Sequence, residues 1–145
     1  MKKIPGIIQG GQHVDLRGKL TFFNDFDMGA VKRFYIIGHP HTETVRAWQA
    51  HKTEQKWFHV IAGSFKMVIV QPDDWDNPSS NLETQEFILH VADNKVLHVP
   101  GNFATGFKAL EPNSRMMVFS NFTVKESSGD DYRFNNKMWY NWDKV

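Results

Sequence analysis

The chain has 145 residues, a length that argues for one domain over residues 1–145 with a single sizeable core. Seventeen Lys and Arg against sixteen Asp and Glu leave a formal charge of +1, so nothing in the balance points to nucleic acid or an anionic membrane. Cysteine is absent, which excludes disulfides, thiolate metal sites and cysteine nucleophiles and fits a reducing, cytoplasmic compartment. The opening Met1-Lys2-Lys3-Ile4-Pro5-Gly6 starts basic. Pro5 and the Gly10-Gly11 pair then break any apolar run, so neither a signal peptide nor a membrane span is expected.

Short runs of β-branched and aromatic residues recur between turn residues from there on. They predict strands at 19–23, 33–37, 44–48, 57–62, 65–71, 85–91, 95–99, 106–110 and 115–122. Gly63-Ser64 and Asp93-Asn94 read as tight hairpin turns, and Pro100-Gly101-Asn102 and Glu111-Pro112-Asn113-Ser114 as two further turns. The polar stretch 71–81 carries two prolines and reads as the one long loop. No stretch before residue 120 keeps a helical period. The tail from Lys125 is polar, ends in Trp139, Tyr140 and Trp142, and is expected to form a short helix or an irregular arm. Strands of this number and spacing predict an all-β double-sheet jelly roll, which encloses a pocket and turns alternate side chains into it.

The densest polar cluster is Thr44 to Lys56. With a period of two, Gln49 and His51 share a face with Ala47 and Val45, and the small neighbours leave space for a ligand. Arg46 and Lys52 fall on the opposite parity, so they need a bulge or a place at the rim to reach the same pocket. For a lone histidine, an ordinary hydrogen-bonded strand end is the commoner situation.

Metal binding in a barrel of this type asks for a His-x-His pair, and here the first position is Gln49, a poor ligand for most transition metals. The remaining histidines, His13, His39, His41, His59, His90 and His98, are scattered, and His39-Pro40-His41 reads as a solvated turn. No metal and no cofactor are expected. Phosphate-loop, dinucleotide and nucleophile-elbow motifs are missing.

Four segments in order resemble a known family: Val14-Asp15-Leu16-Arg17-Gly18, Lys32-Arg33-Phe34-Tyr35-Ile36-Ile37, Arg46-Ala47-Trp48-Gln49-Ala50-His51-Lys52 and Asp130-Asp131-Tyr132-Arg133. Together they are similar to the cupins that act as nucleotide-sugar 3,4-ketoisomerases. These are relatives of dTDP-4-dehydrorhamnose 3,5-epimerase, which the run from Val99-Pro100 to Ala104-Thr105-Gly106-Phe107 also resembles. The resemblance implies a double-stranded β-helix (the cupin jelly roll), a homodimer, and a dTDP-sugar held inside the barrel without a metal. Against the family signature Arg-Gly-x-His-Ala-His-Lys, the second histidine is present as His51 and the first is replaced by Gln49. Ala47 replaces the glycine, Met117 stands at the best match for the epimerases' late tyrosine, and Thr105 replaces a histidine of theirs.

Isomerising a 4-keto sugar means taking a proton alpha to a carbonyl and returning one elsewhere, and an imidazole poised near neutral pH suits that task. His51 is therefore the expected base, with Gln49 beside it. Lys52, Lys56 or Tyr35 would supply the donor that an enolate needs. Guanidinium forks suit a nucleoside diphosphate, with Arg17, Arg33, Arg46 and Arg115 as candidates, and Trp48, Trp57 or Phe103 can stack on a base or sugar. The leading expectation is an isomerase or epimerase of a nucleotide-linked 4-keto-6-deoxy sugar serving surface-polysaccharide synthesis. The alternatives are a catalytically silent sugar-nucleotide or carbohydrate binding cupin and, less favoured, a metal-dependent cupin.

Overall fold

Alternation of apolar and polar residues, interrupted by turn residues, builds most of the twelve strands in the computed structural model, which describes residues 3–145. The basic start at Met1 and Lys2 lies outside the described residues. In chain order the strands are β1 (Gly6–Gln9), β2 (Gly11–Asp15), β3 (Gly18–Phe22), β4 (Arg33–His39), β5 (Val45–His51) and β6 (Lys56–Ala62). They continue with β7 (Ser64–Val70), β8 (Thr84–His90), β9 (Lys95–Val99), β10 (Phe103–Ala109), β11 (Ser114–Ser120) and β12 (Tyr132–Arg133). The one α-helix among the described residues, α1 (Val124–Ser128), starts in a capping box between Thr123 and Glu126.

Two antiparallel five-stranded sheets, ordered β1-β9-β6-β11-β4 and β12-β5-β10-β7-β8, face each other as a jelly roll, and β2-β3 forms a separate hairpin. Phe58, Leu97, Met116 and Val118 from the first sheet meet Phe65, Met67, Ile69, Leu89 and Phe107 from the second in one core. Each such side chain taken fully out of water contributes about 1.5–3 kcal/mol.

The expected turns are real reversals, but their partners differ from the expectation. Gly63, at φ +69°, joins β6 to β7, and those strands belong to opposite sheets. Around Asp93-Asn94 a 3-10 turn over Val91–Asp93 ends on left-handed Asn94 (φ 54°) and carries the chain from β8 to β9, again across sheets. Neither is a hairpin. Turn residues specify that the chain reverses; the sheet it joins is settled by which face of the next strand is apolar. The alternation does not mark β1, β2 or β12. β1 is a four-residue edge strand, β2 starts at Gly11 in the separate hairpin, and β12 is two residues long.

β5 runs on to His51, three residues past the expected end, because β10 pairs with it throughout. The pairing slips by one residue: Thr105 faces Gln49 and Phe107 faces Arg46, so Ala47 and Trp48 together oppose Gly106. The Ala47–Trp48 peptide there is cis. Gly106 is required by close approach, since a Cβ would lie 2.7 Å from Trp142 Cζ2 and 2.9 Å from Ala47 Cβ.

The C-terminal arm folds back over the outer face of the second sheet. Tyr132 and Arg133 pair with Ala50 and Gln49, and Trp142 packs on Trp48, Val68 and Ala104. The arm thereby carries 130–133 to the mouth of the barrel.

Candidate active site

A cavity of about 570 Å³ opens between the sheets. The bulge in β5 decides what faces it. Ala47 and Trp48 both pack toward the arm, so the strand is re-phased, and Arg46 and Gln49 both line the interior. The bulge that Arg46 needs is thus present, opposite Gly106. From the other wall come Tyr35 and Ile37 of β4 and Lys56 and Phe58 of β6, while Thr105 and Phe107 of β10 and Arg133 of β12 flank β5 on its own sheet.

The polar groups are linked in a chain. Lys56 Nζ donates to Gln49 Oε1 at 3.1 Å, and Gln49 Nε2 donates to Asp131 Oδ1 at 3.2 Å. Arg133 donates to both Asp131 oxygens, at 2.8 and 3.2 Å. The Arg133 hydrogen bond holds the Asp131 carboxyl below its ordinary range. Arg46 Nε donates to His39 Nε2 at 3.0 Å. The cavity therefore carries three cations, Arg46, Lys56 and Arg133, against the single carboxylate that neighbours Arg133. That imbalance suits an anionic ligand.

Beneath the floor lies His51, 5% exposed. Its Nδ1 sits 2.6 Å from the Asp130 carbonyl oxygen, which accepts its proton and leaves Nε2 with the lone pair. Nε2 is buried without a partner among the described residues. It belongs to a small cleft shared with Lys56, Phe103 and Thr105, and Lys56 and Thr105 also line the main cavity. Burial pushes the His51 pKa below 6.5 and the Lys56 ammonium lowers it further, against the opposing pull of Asp130 and Glu54. His51 is thus a neutral imidazole at pH 7, and its 3.4 Å contact with Glu54 Oε1 is not an ion pair.

Two acidic residues hold this histidine, neither of them among the expected site residues. Asp130 accepts from the backbone N–H of Lys52, Thr53 and Glu54 at 2.8, 2.9 and 2.8 Å, and so fixes the turn after β5. Glu54, 1% exposed, accepts from Ser120 Oγ and Ser127 Oγ, both at 2.6 Å, and from Arg33 at 3.4 Å. A buried carboxylate needs such partners. Asp130, Asp131 and Arg133 stand within the family-like segment Asp130-Asp131-Tyr132-Arg133, which is their signal in the sequence; nothing local distinguishes Glu54 from an exposed turn residue.

Of the expected site residues, the structure brings together Gln49, Arg46, Lys56 and Tyr35 around the cavity, with His51 behind its floor. The others lie elsewhere. Lys52 leaves the barrel and places its ammonium over Tyr132 and Trp75, 5.0 and 5.5 Å from the ring centres, because it follows the strand on the outward side. Arg17 sits at the tip of the β2-β3 hairpin, paired with Asp15 at 2.6 Å. Arg33 points inward but is occupied by Glu54 and the Phe122 carbonyl. Arg115 is exposed on the outer face of β11, on the same side as Met117. The inward neighbour of Tyr35 across the pair is Val118, so the phenol in this cavity comes from β4 and not from the Met117 position. Trp48 is buried under the arm with its indole N–H on the Met138 carbonyl, and Trp57 stacks on His98 outside the barrel. Phe103 is core and borders the His51 cleft.

His39 is no part of a solvated turn: it ends β4 at 3% exposure, packed against Phe65 and Phe107. Among the described residues, no group of three or more His, Cys, Asp or Glu is placed to hold a metal ion.

The family model FdtA (WxcM-like, C-terminal) matches residues 3–142. No curated protein matches the chain by sequence. Among solved structures, the chain is similar to dTDP-4-dehydrorhamnose 3,5-epimerase from Bacillus anthracis with TDP and PPi bound (18% identity, TM-score 0.73, 92% of this chain and 79% of that one). It is similar to a mutant of the 3,4-ketoisomerase QdtA from Thermoanaerobacterium thermosaccharolyticum in complex with TDP-4-keto-6-deoxyglucose (19%, TM-score 0.70, 92% and 90%). A third is the WlaRB TDP-quinovose 3,4-ketoisomerase from Campylobacter jejuni (17%, TM-score 0.71, 97% and 100%). At these identities the likeness establishes the shared fold.

Proposed function

The chain belongs to the FdtA (WxcM-like, C-terminal) family, and on that footing we propose that it isomerises or epimerises a nucleotide-linked 4-keto-6-deoxy sugar. The nucleotide read from the named relatives is thymidine diphosphate. The observation that carries the reading is His51: a buried, neutral imidazole whose Nδ1 is fixed on a carbonyl and whose Nε2 lone pair is unused in a small cleft beneath the cavity floor.

In this mechanism Nε2 of His51 takes the C3 proton, the C–H pair becomes the C3=C4 bond, and the carbonyl pair moves onto the C4 oxygen. The Lys56 ammonium and the Tyr35 hydroxyl stabilise that oxygen. Reprotonation at C4, with the 3-hydroxyl proton passing to the C4 oxygen, gives the 3-keto sugar; reprotonation of C3 on its opposite face gives the epimer. Arg46 and Arg133 hold the diphosphate. Lys56, which divides Nε2 from the main cavity, must turn from Gln49 toward substrate, and this uncovers the base. Gln49 moves no proton, since an amide is not a base near neutral pH; it orients Lys56 and Asp131. The same reading places the protein in the cytoplasm, as a homodimer, in the making of surface-polysaccharide sugars.

The second reading, a silent binding cupin, is favoured by the engaged Gln49 amide and by the burial of Nε2. Proton NMR of dTDP-4-keto-6-deoxyglucose with the protein in deuterated water separates the two. Deuterium at C4 of a new 3-keto product supports isomerisation, and exchange at C3 and C5 of the 4-keto sugar supports epimerisation. Binding with no exchange above the enzyme-free control overturns catalysis on this sugar.

A further inference from the structure

Arg46 and Arg133 both face the cavity, but they are held in chemically different ways. Arg133 is paired with a carboxylate, so its charge is largely answered within the protein. Arg46 is held by a neutral acceptor: its Nε–H meets Nε2 of His39 at 3.0 Å, and its terminal nitrogens have no protein partner among the described residues. An arginine only donates, so Nε2 of His39 must carry the lone pair and Nδ1 the proton. That Nδ1 is buried without a partner among the described residues, and the ring lies against Phe65 and Phe107, 5.5 and 5.7 Å between centres. The imidazole thus cannot turn away from Arg46 without disturbing the core.

We infer that His39 is a positioning residue for Arg46, fixing the guanidinium plane through Nε while leaving both its charge and its terminal N–H fork for an anionic group in the cavity. The identity of that group as a diphosphate rests on the function proposed above. The Nε–H bond lies in the guanidinium plane, so an acceptor there sets the orientation of the whole fork. A carboxylate in the same place would set it equally well but would cancel the charge that recruits the ligand. Burial and the Arg46 charge both push His39 below 6.5, in keeping with the neutral form the contact requires.

The test uses the full chain and His39→Leu and His39→Gln, with thermal midpoints to confirm folding. Calorimetric titration with dTDP and with inorganic pyrophosphate should show His39→Leu weakened about tenfold or more, the loss expected for one charge-assisted contact. His39→Gln, which restores a neutral acceptor, should stay within about threefold of wild type. In turnover the loss should fall on KM with kcat nearly unchanged, because the diphosphate does not react. Nitrogen-15 NMR of His39 should show the Nδ1–H tautomer at pH 7. A folded His39→Leu that binds both anions like wild type, or an Nε2–H tautomer in wild type, overturns the role of His39 alone. Wild-type protein that binds neither anion overturns the diphosphate reading instead, and with it the ligand assigned to Arg46.

Discussion

Truncating Asp130 should unfasten the turn that carries the proposed base. In Asp130→Ala, three backbone N–H groups lose a carboxylate at 2.8–2.9 Å. Lys52 and Thr53 are exposed and their amides can turn to water, at a net cost of about 1 kcal/mol each. Glu54 is buried, so its N–H is left unsatisfied at about 1–3 kcal/mol. The total is about 3–5 kcal/mol, and for a chain of this length each kcal/mol lowers Tm by about 3 °C, so the midpoint should fall by about 9–15 °C. Asp130→Asn keeps one acceptor oxygen and turns an amide N–H₂ against the Lys52 N–H, so about half that loss is expected. Circular dichroism melts and urea titrations with equal m-values measure it. Turnover should fall further than stability, since the Asp130 carbonyl holds His51 Nδ1. An Asp130→Ala midpoint within about 2 °C of wild type would refute the argument that this carboxylate organises the turn.

The replacement His51→Asn should abolish C3 exchange while leaving dTDP affinity within about threefold, read by NMR and calorimetry. Turnover should follow the neutral form of His51, so its acid limb has a midpoint below 6.5 and the rate drops as pH falls through it. Lys56→Gln removes a charge that depresses that value, and the limb should shift to higher pH in a pH–rate profile. His39, His51 and His98 all sit below 6.5 in the folded state, so the unfolded chain binds the extra protons; stability should fall as pH drops from about 6.5 through their folded values and be level above it. Gly106→Ala should cost about 1–3 kcal/mol in urea titrations, because its Cβ meets Trp142, Trp48 and the bulge.

The jelly roll was legible because its signal is local: alternation, turn residues and the absence of a helical period are properties of neighbouring residues. The site was legible only where a strand keeps its period. His51 and Gln49 share a parity and do share a face, and Lys56 and Tyr35 lie on inward positions of β6 and β4. Arg46 depended on a bulge that shows only as the slip of β5 against Gly106. Lys52 was misplaced because the strand runs past Trp48, and Arg33 because its partner Glu54 lies in a turn remote from it. His39 read as a loop histidine beside Pro40, yet β4 reaches it.

By itself the sequence determined the all-β class, the run of reversals, the exclusion of thiolate chemistry, and a histidine and amide on one face. Each of these follows from residue type and a spacing of two. Tertiary structure alone decided which arginines face the cavity, which acids hold His51, and that every tight reversal after β5 joins opposite sheets. Those outcomes depend on contacts between residues far apart in the chain: Asp130 with the turn after β5, Arg46 with Phe107, and Glu54 with Ser120 and Ser127. A buried polar group is satisfied by whatever the fold brings beside it, and no local pattern encodes that partner.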